Sequence, residues 1–152
     1  MEKPISLKGI PLEVLLNYYN HQYERMAKLE DQRTAITNFT ITLSVLAFTF
    51  GFDPAKGFTK TIGFGLLIVM ATANIFAILY ILRTKSWIKT HKMRADGMLE
   101  QRFKKLLTFN DETHAKHSNW SISRWKIQML LHILLLIVAI VMTVFLLITP
   151  VI

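Results

Sequence analysis

The stretch IQMLLHILLLIVAIVMTVFLLIT, residues 127–149, decides the fold, because it carries no charged side chain over 23 residues. A helix that crosses a bilayer needs about 20 such residues. Two further uncharged runs precede it, at 34–52 and 61–82. The sequence therefore predicts an all-α integral membrane protein with three transmembrane helices.

Composition narrows the class of protein further. The chain has 152 residues, of which 52% are hydrophobic, yet its formal net charge is +8. Long uncharged runs alternate with highly charged ones, which argues strongly against a water-soluble enzyme. The chain holds no cysteine, so disulfides, thiolate catalysis and cysteine-ligated zinc are excluded. Because no phosphate-binding loop, catalytic triad or carboxylate pair is visible, we expect neither an enzyme nor a cofactor.

Charge predicts the orientation in the membrane. Residues 83–126 hold eleven Lys or Arg and four Asp or Glu, whereas residues 1–33 hold five of each. By the positive-inside rule the 83–126 segment is cytoplasmic. The N-terminus is then cytoplasmic and the C-terminus lies outside.

Two of the predicted helices extend beyond the membrane. No Gly or Pro interrupts residues 12–50, so one continuous helix is expected from about Pro11 to about Phe50. The second helix should continue past Gly97 to about Thr108. Asn119 or Ser121 can cap the third helix. The expected segments of this single membrane domain, 1–152, are a stalk helix at 11–33, spans at 34–52, 61–82 and 127–149, and a basic helix and loop at 83–126.

The first span has a polar face as well as an apolar one. Such a face is either the lining of a pore or a set of hydroxyls that bond within the protein, and the sequence favours neither. Phe48 lies beside this face and would close a pore by dewetting, with Asn38 at the cytoplasmic entrance. The pore-lining candidates are Thr37, Asn38, Thr40, Ser44 and Phe48.

Small and polar residues in the other spans indicate close helix packing. Asn74 lies near mid-membrane, where its amide needs a partner, and one chain has too few helices to satisfy all the polar groups, so self-association is expected. His132 is either a titrating gate or, more commonly, a buried hydrogen-bond partner. No Asp, Glu, Lys or Arg lies in a span, which argues against an ion-coupled transporter. The helix-packing candidates are Gly63, Ala73, Asn74, Ala77, Gln128 and His132.

A cytoplasmic basic patch follows the second span. It fixes the topology and contacts anionic lipid head groups, or it receives a phosphate-bearing ligand. His114 and His117 form only a weak metal-ligating pattern, so no metal site is expected. The basic patch comprises Lys89, Lys92, Arg94, Arg102, Lys104 and Lys105.

The layout resembles a known group of bacterial proteins. The charged run YERMAKLEDQR at 23–33 passes directly into a span rich in Thr and Asn, and after a short hairpin the second span extends into a helix containing Met98-Leu99-Glu100. Over about residues 15–107 this resembles SLATT-type effector domains and RipA-type oligomeric membrane proteins. The resemblance implies an antiviral, membrane-disrupting pore in the bacterial inner membrane, triggered by a partner or a nucleotide signal. The third span and the lack of a sensor domain depart from that layout.

Two functional hypotheses follow. The first is a homo-oligomeric pore or ion-channel-like effector, triggered by a cytoplasmic protein or a nucleotide-type ligand. The alternative is a non-conducting scaffold or accessory subunit whose basic cytoplasmic bundle docks a partner protein. Membrane lipid is an expected partner in both, and sequence-specific nucleic-acid binding is expected in neither.

Overall fold

The computed structural model describes residues 7, 9–51, 60–105, 108, 112 and 123–148. These residues form three α-helices: α1 (Leu12–Gly51), α2 (Lys60–Arg102) and α3 (Arg124–Ile148). The all-helical prediction is confirmed for this part of the chain. On length and composition, α2 and α3 can each cross a membrane. Over the described residues α1 does not meet the same criterion, because hydroxyls and an amide dilute its apolar half.

The start of α1 is set by a turn and a proline. Gly9 has a φ of +94°, a left-handed conformation that glycine adopts without steric penalty. The amide of Ile10 bonds to the Leu7 carbonyl at 3.4 Å, and the amide of Leu15 bonds to the Pro11 carbonyl at 3.3 Å. The helix then runs unbroken to Gly51, one residue beyond the end expected from sequence.

The ends of α2 and α3 differ from expectation. Gly97 stays helical, as expected, but α2 ends at Arg102 rather than near Thr108. At the start of α3 the Ser123 carbonyl accepts bonds from the amides of Lys126 (2.8 Å) and Ile127 (3.4 Å). Ser123 therefore occupies the N-cap position. The expected caps, Asn119 and Ser121, lie outside the described residues, as does the predicted hairpin at 53–59.

The chain divides into two compact units. The stalk unit comprises Met1–Asp31 and Thr84–Ile122, and the apolar unit comprises Gln32–Arg83 and Ser123–Ile152. In the stalk unit the first half of α1 packs on the end of α2. Buried residues of α2 recur there at intervals of seven, four and three residues, which are typical of coiled-coil seams. They are Thr84, His91, Ala95 and Met98.

The apolar unit buries several polar side chains and exposes many large apolar ones. Its apolar core is small, formed by Ala47, Leu67, Met70 and Ala139. Large side chains on its outer surface are highly exposed, including Leu130 (67%) and Ile148 (76%) of α3. This distribution is the one expected of helices that face lipid.

Candidate functional site: a buried polar network

Asn74 is the centre of a hydrogen-bond network that joins all three helices of the apolar unit. Its Nδ2 donates to Ser44 Oγ and to the Met70 carbonyl, each at 2.8 Å. Its Oδ1 lies 2.8 Å from His132 Nδ1. One amide from α2 therefore binds a hydroxyl of α1 and an imidazole of α3.

The bonding pattern fixes the direction of each hydrogen bond. Asn74 Oδ1 can only accept, so His132 Nδ1 carries the proton in this contact. In the neutral imidazole His132 Nε2 is then the acceptor, and it lies 3.4 Å from Thr37 Oγ1. At the other end Ser44 Oγ donates to the Thr40 carbonyl at 2.8 Å. Each group therefore donates a hydrogen bond to the next one. The chain of hydrogen bonds begins at the Thr37 hydroxyl, passes through His132, Asn74 and Ser44, and ends at the Thr40 carbonyl.

The network is shielded from its surroundings. Asn74 and His132 are 0% exposed and Ser44 is 1% exposed. A buried polar group without a partner is costly, so a shift of one helix relative to another would leave several groups unsatisfied. The network therefore specifies the register of the three helices, as a buried polar residue does in a coiled coil.

The structure divides the pore-lining candidates into two sets. Thr37, Thr40 and Ser44 are buried within the chain, whereas Asn38 and Phe48 are exposed. In this conformation the first three contact the interior of the apolar unit. Their role as a lining stays a prediction and requires the network to open.

Of the helix-packing candidates, Asn74 and His132 belong to the network. Gly63 and Ala77 are buried and Ala73 is partly buried. Gln128 Nε2 donates to Thr34 Oγ1 at 3.5 Å, while its Oε1 is buried without a hydrogen bond in the described part of the chain. The Asn74 amide has partners in Ser44, Met70 and His132 of its own chain, and self-association stays a prediction.

A second polar face of α1 is exposed. Asn38, Thr42 and Thr49 lie within about 40° of arc on a helix with 3.6 residues per turn, and all three are exposed. We call these three residues the outer polar stripe. Thr42 Oγ1 donates to the Asn38 carbonyl at 3.0 Å, but the Asn38 side-chain amide makes no hydrogen bond within the described residues. Among the described residues, no side chain of another helix is found in hydrogen-bond contact with Asn38, Thr42 or Thr49.

The stalk unit contains a second buried polar pair. His91 Nδ1 lies 2.7 Å from Gln22 Oε1, and both side chains are at most 5% exposed. Burial lowers the pKa of His91 below its ordinary value, and the nearby charges of Arg94 and Arg25 and the imidazole of His21 lower it further. His91 is thus held neutral, with Nδ1 donating to Gln22.

This pair predicts that the stalk unit loses stability in acid. The pKa of His91 is lower in the folded than in the unfolded chain, so the unfolded state takes up the proton first. The contribution of neutral His91 to the stability of the fold is fully present above the ordinary pKa of about 6.5. It is lost as the pH falls through the lowered pKa of His91 in the folded chain. We expect the melting temperature, measured by circular dichroism, to be a few degrees lower at pH 5 than at pH 7.5. His91→Gln should remove most of this pH dependence. His21→Gln, at an exposed histidine that is the smallest cause of the lowered His91 pKa, should retain most of it, and equal pH dependence in both variants would contradict the assignment.

The basic patch is exposed as a whole, with all six side chains on the surface of the stalk unit. Arg102 Nη2 donates to the Ile10 carbonyl at 3.4 Å, which joins the end of α2 to the start of α1.

Tyr19 of α1 is a second residue of the stalk unit with a shifted pKa. Burial and a hydrogen bond to Tyr23 raise the pKa of Tyr19 to about 12. Tyr19 therefore stays a neutral phenol at physiological pH.

No group of three His, Cys, Asp or Glu residues in the described ranges is placed to hold a metal ion; His114 and His117 lie outside those ranges. Comparisons of the chain with family models, with curated proteins and with solved structures find no match.

Proposed function

We propose that the protein is a membrane-spanning homo-oligomer that forms a pore or channel. The observation that carries this proposal is the outer polar stripe on α1. Asn38, Thr42 and Thr49 are exposed on a helix whose residues 34–51 contain no charged side chain. In a bilayer such a stripe is poorly matched to lipid tails and well matched to water or to another subunit.

In this proposal α1 is the third membrane span, together with α2 and α3. Its inner polar face bonds to Asn74 and His132, which supports a span because these polar groups would not contact lipid. The stripe then has two uses, a contact between subunits and a wall of a water-filled pore. An oligomer about an axis beside α1 provides both at once.

The proposed orientation has the stalk unit in the cytoplasm and the end of α3 outside, in a bacterial inner membrane. Because the chain has no cysteine, single cysteines report on accessibility without background. We expect Lys28→Cys to be protected from a membrane-impermeant thiol reagent in intact cells. A cysteine added after Ile152 should be labelled. The reverse labelling pattern would invert the topology.

The scaffold is the alternative function, and the exposed basic patch favours it. Six cationic side chains on one unit offer a docking surface for an acidic protein partner. This function requires neither a ring of subunits nor a current.

Reconstitution separates the two functions. The purified protein is placed in planar bilayers, and its subunit number is measured by native mass spectrometry in detergent. The pore proposal expects four or more subunits and stepwise currents. If the protein is a monomer and carries no current, the pore proposal is wrong and the scaffold function takes its place. The defence role implied by the resemblance is then tested by comparing phage infection of cells with and without the protein.

A further inference from the structure

The stalk unit contains an open apolar cavity of about 600 Å³ between the start of α1 and the end of α2. Small-molecule sites in proteins typically have volumes of about 300–1,000 Å³. The walls are mainly aliphatic and thioether side chains, among them Val14, Leu15, Met93 and Met98. Val14 and Met93 are each 56% exposed, so the cavity leaves apolar surface in contact with water.

Gly97 keeps this cavity open. It lines the cavity in the interior of α2, where glycine is among the least favourable residues for a helix. A Cβ built at Gly97 would meet no atom within 4 Å. The glycine is therefore required neither by close packing nor by an unusual backbone angle, and a larger side chain there would project into open space.

Arg94 is the only charged residue among the described residues that line the cavity. Within the described residues its guanidinium makes no hydrogen bond and no ion pair. The side chains of Tyr18 and Gln101 also line the cavity and supply further hydrogen-bond donors. The described part of the cavity lining thus combines apolar walls with one cation, Arg94, that has no ion pair among the described residues.

We infer that this cavity is a binding site for a long-chain alkyl carboxylate, that is, a fatty-acid anion. The alkyl chain covers the exposed apolar walls, and the carboxylate pairs with Arg94, whose planar fork matches two carboxylate oxygens. One guanidinium balances one negative charge, which favours a monoanionic carboxylate over a doubly charged phosphate. Methionine side chains adapt to flexible alkyl chains, and two of them line the site. The inference does not depend on the pore.

Photoaffinity labelling tests the inference with the full chain in lipid nanodiscs. The probe is palmitic acid bearing a diazirine on its alkyl chain, and the matched neutral probe is the corresponding alcohol. Labelled peptides are identified by mass spectrometry. We expect the acid to label peptides that contain residues 12–18 and 93–101, with excess unlabelled palmitate competing for the site.

Three variants define the site. Gly97→Leu fills the cavity and should reduce labelling of these peptides by the acid at least tenfold, while preserving the helix. Arg94→Gln should reduce labelling by the acid and leave labelling by the alcohol unchanged. Lys92→Gln removes a neighbouring exposed charge outside the cavity and should have no effect. Circular dichroism of each variant shows whether the stalk unit stays folded.

Several outcomes would overturn the inference. Labelling confined to other peptides would show that the probe reports only lipid partitioning. Equal labelling of the parent, Gly97→Leu and Arg94→Gln would show that the cavity is not used. Equal loss of labelling by acid and alcohol in Arg94→Gln would assign the arginine a structural role. A cavity occupied by a second copy of the chain would appear as protein cross-links between these peptides instead of lipid adducts.

Discussion

Replacing Asn74 by leucine should lower the free energy of unfolding of the protein by about 2 kcal/mol, since it removes three buried hydrogen bonds that average roughly 0.6 kcal/mol each within membranes. Asn74 donates to Ser44 and Met70 and accepts from His132. Leucine has a similar shape but cannot make these contacts, and it leaves the Nδ1 proton of His132 without a partner. The loss therefore reflects hydrogen bonding more than packing.

Asn38→Leu is the matched control, because it makes the same chemical change on the exposed side of α1. The Asn38 side-chain amide makes no hydrogen bond within the described residues, so its removal should leave the stability of the single chain almost unchanged. Both variants are unfolded by titration with a denaturing detergent and followed by circular dichroism. Equal destabilisation by the two substitutions would show that the network does not contribute to stability.

The same pair of variants separates protomer stability from assembly. If the outer polar stripe mediates contact between subunits, Asn38→Leu shifts the oligomer toward smaller species in native mass spectrometry while the protomer stays folded. Asn74→Leu has the opposite signature, a less stable protomer. In this proposal the buried polar groups of α1 stabilise the protomer, and those of the outer polar stripe mediate assembly.

Sequence reasoning predicted the helices better than their contacts. The unbroken run after Pro11 predicted α1 to within one residue, and helical spacing alone explains why Gly97 does not end α2. These are local properties of the chain. The sequence predicts the end of α2 near Thr108, six residues beyond the observed end at Arg102, because no proline or glycine marks Arg102 as a boundary.

The two polar faces of α1 could not be told apart from its sequence. Thr37, Thr40 and Ser44 lie on one side of the helix and the outer polar stripe lies on another, but both sets consist of short polar side chains in the same stretch of sequence. Which set is buried depends on Asn74, 30 residues beyond Ser44, and on His132, 95 residues beyond Thr37. The burial of a polar residue in a span is decided by such distant partners, and periodicity carries no information about them.

Substitutions in the outer polar stripe should reduce ionic current severalfold in planar bilayers. Thr42→Val replaces a hydroxyl by a methyl group of nearly the same size, so it makes a water-facing wall apolar without blocking it. Asn38→Leu should act in the same direction at the cytoplasmic end of the span. Phe48 lies on the side of Thr37 and Ser44, about 100° from the middle of the stripe, so Phe48→Ala should increase leak only if that buried face becomes the pore lining.

Thr40→Val is the decisive comparison for Thr42→Val. The two threonines are two residues apart on α1, but Thr40 is 2% exposed and Thr42 is exposed. If the stripe lines the pore, Thr42→Val lowers the current and Thr40→Val does not, at equal amounts of folded protein. The reverse result would mean that conduction opens the buried network and brings Thr37, Thr40 and Ser44 to the water. If neither substitution changes the current, α1 is not the pore wall. Because both variants keep the size and the backbone of the parent, a difference between them can only arise from the face of α1 that contacts water.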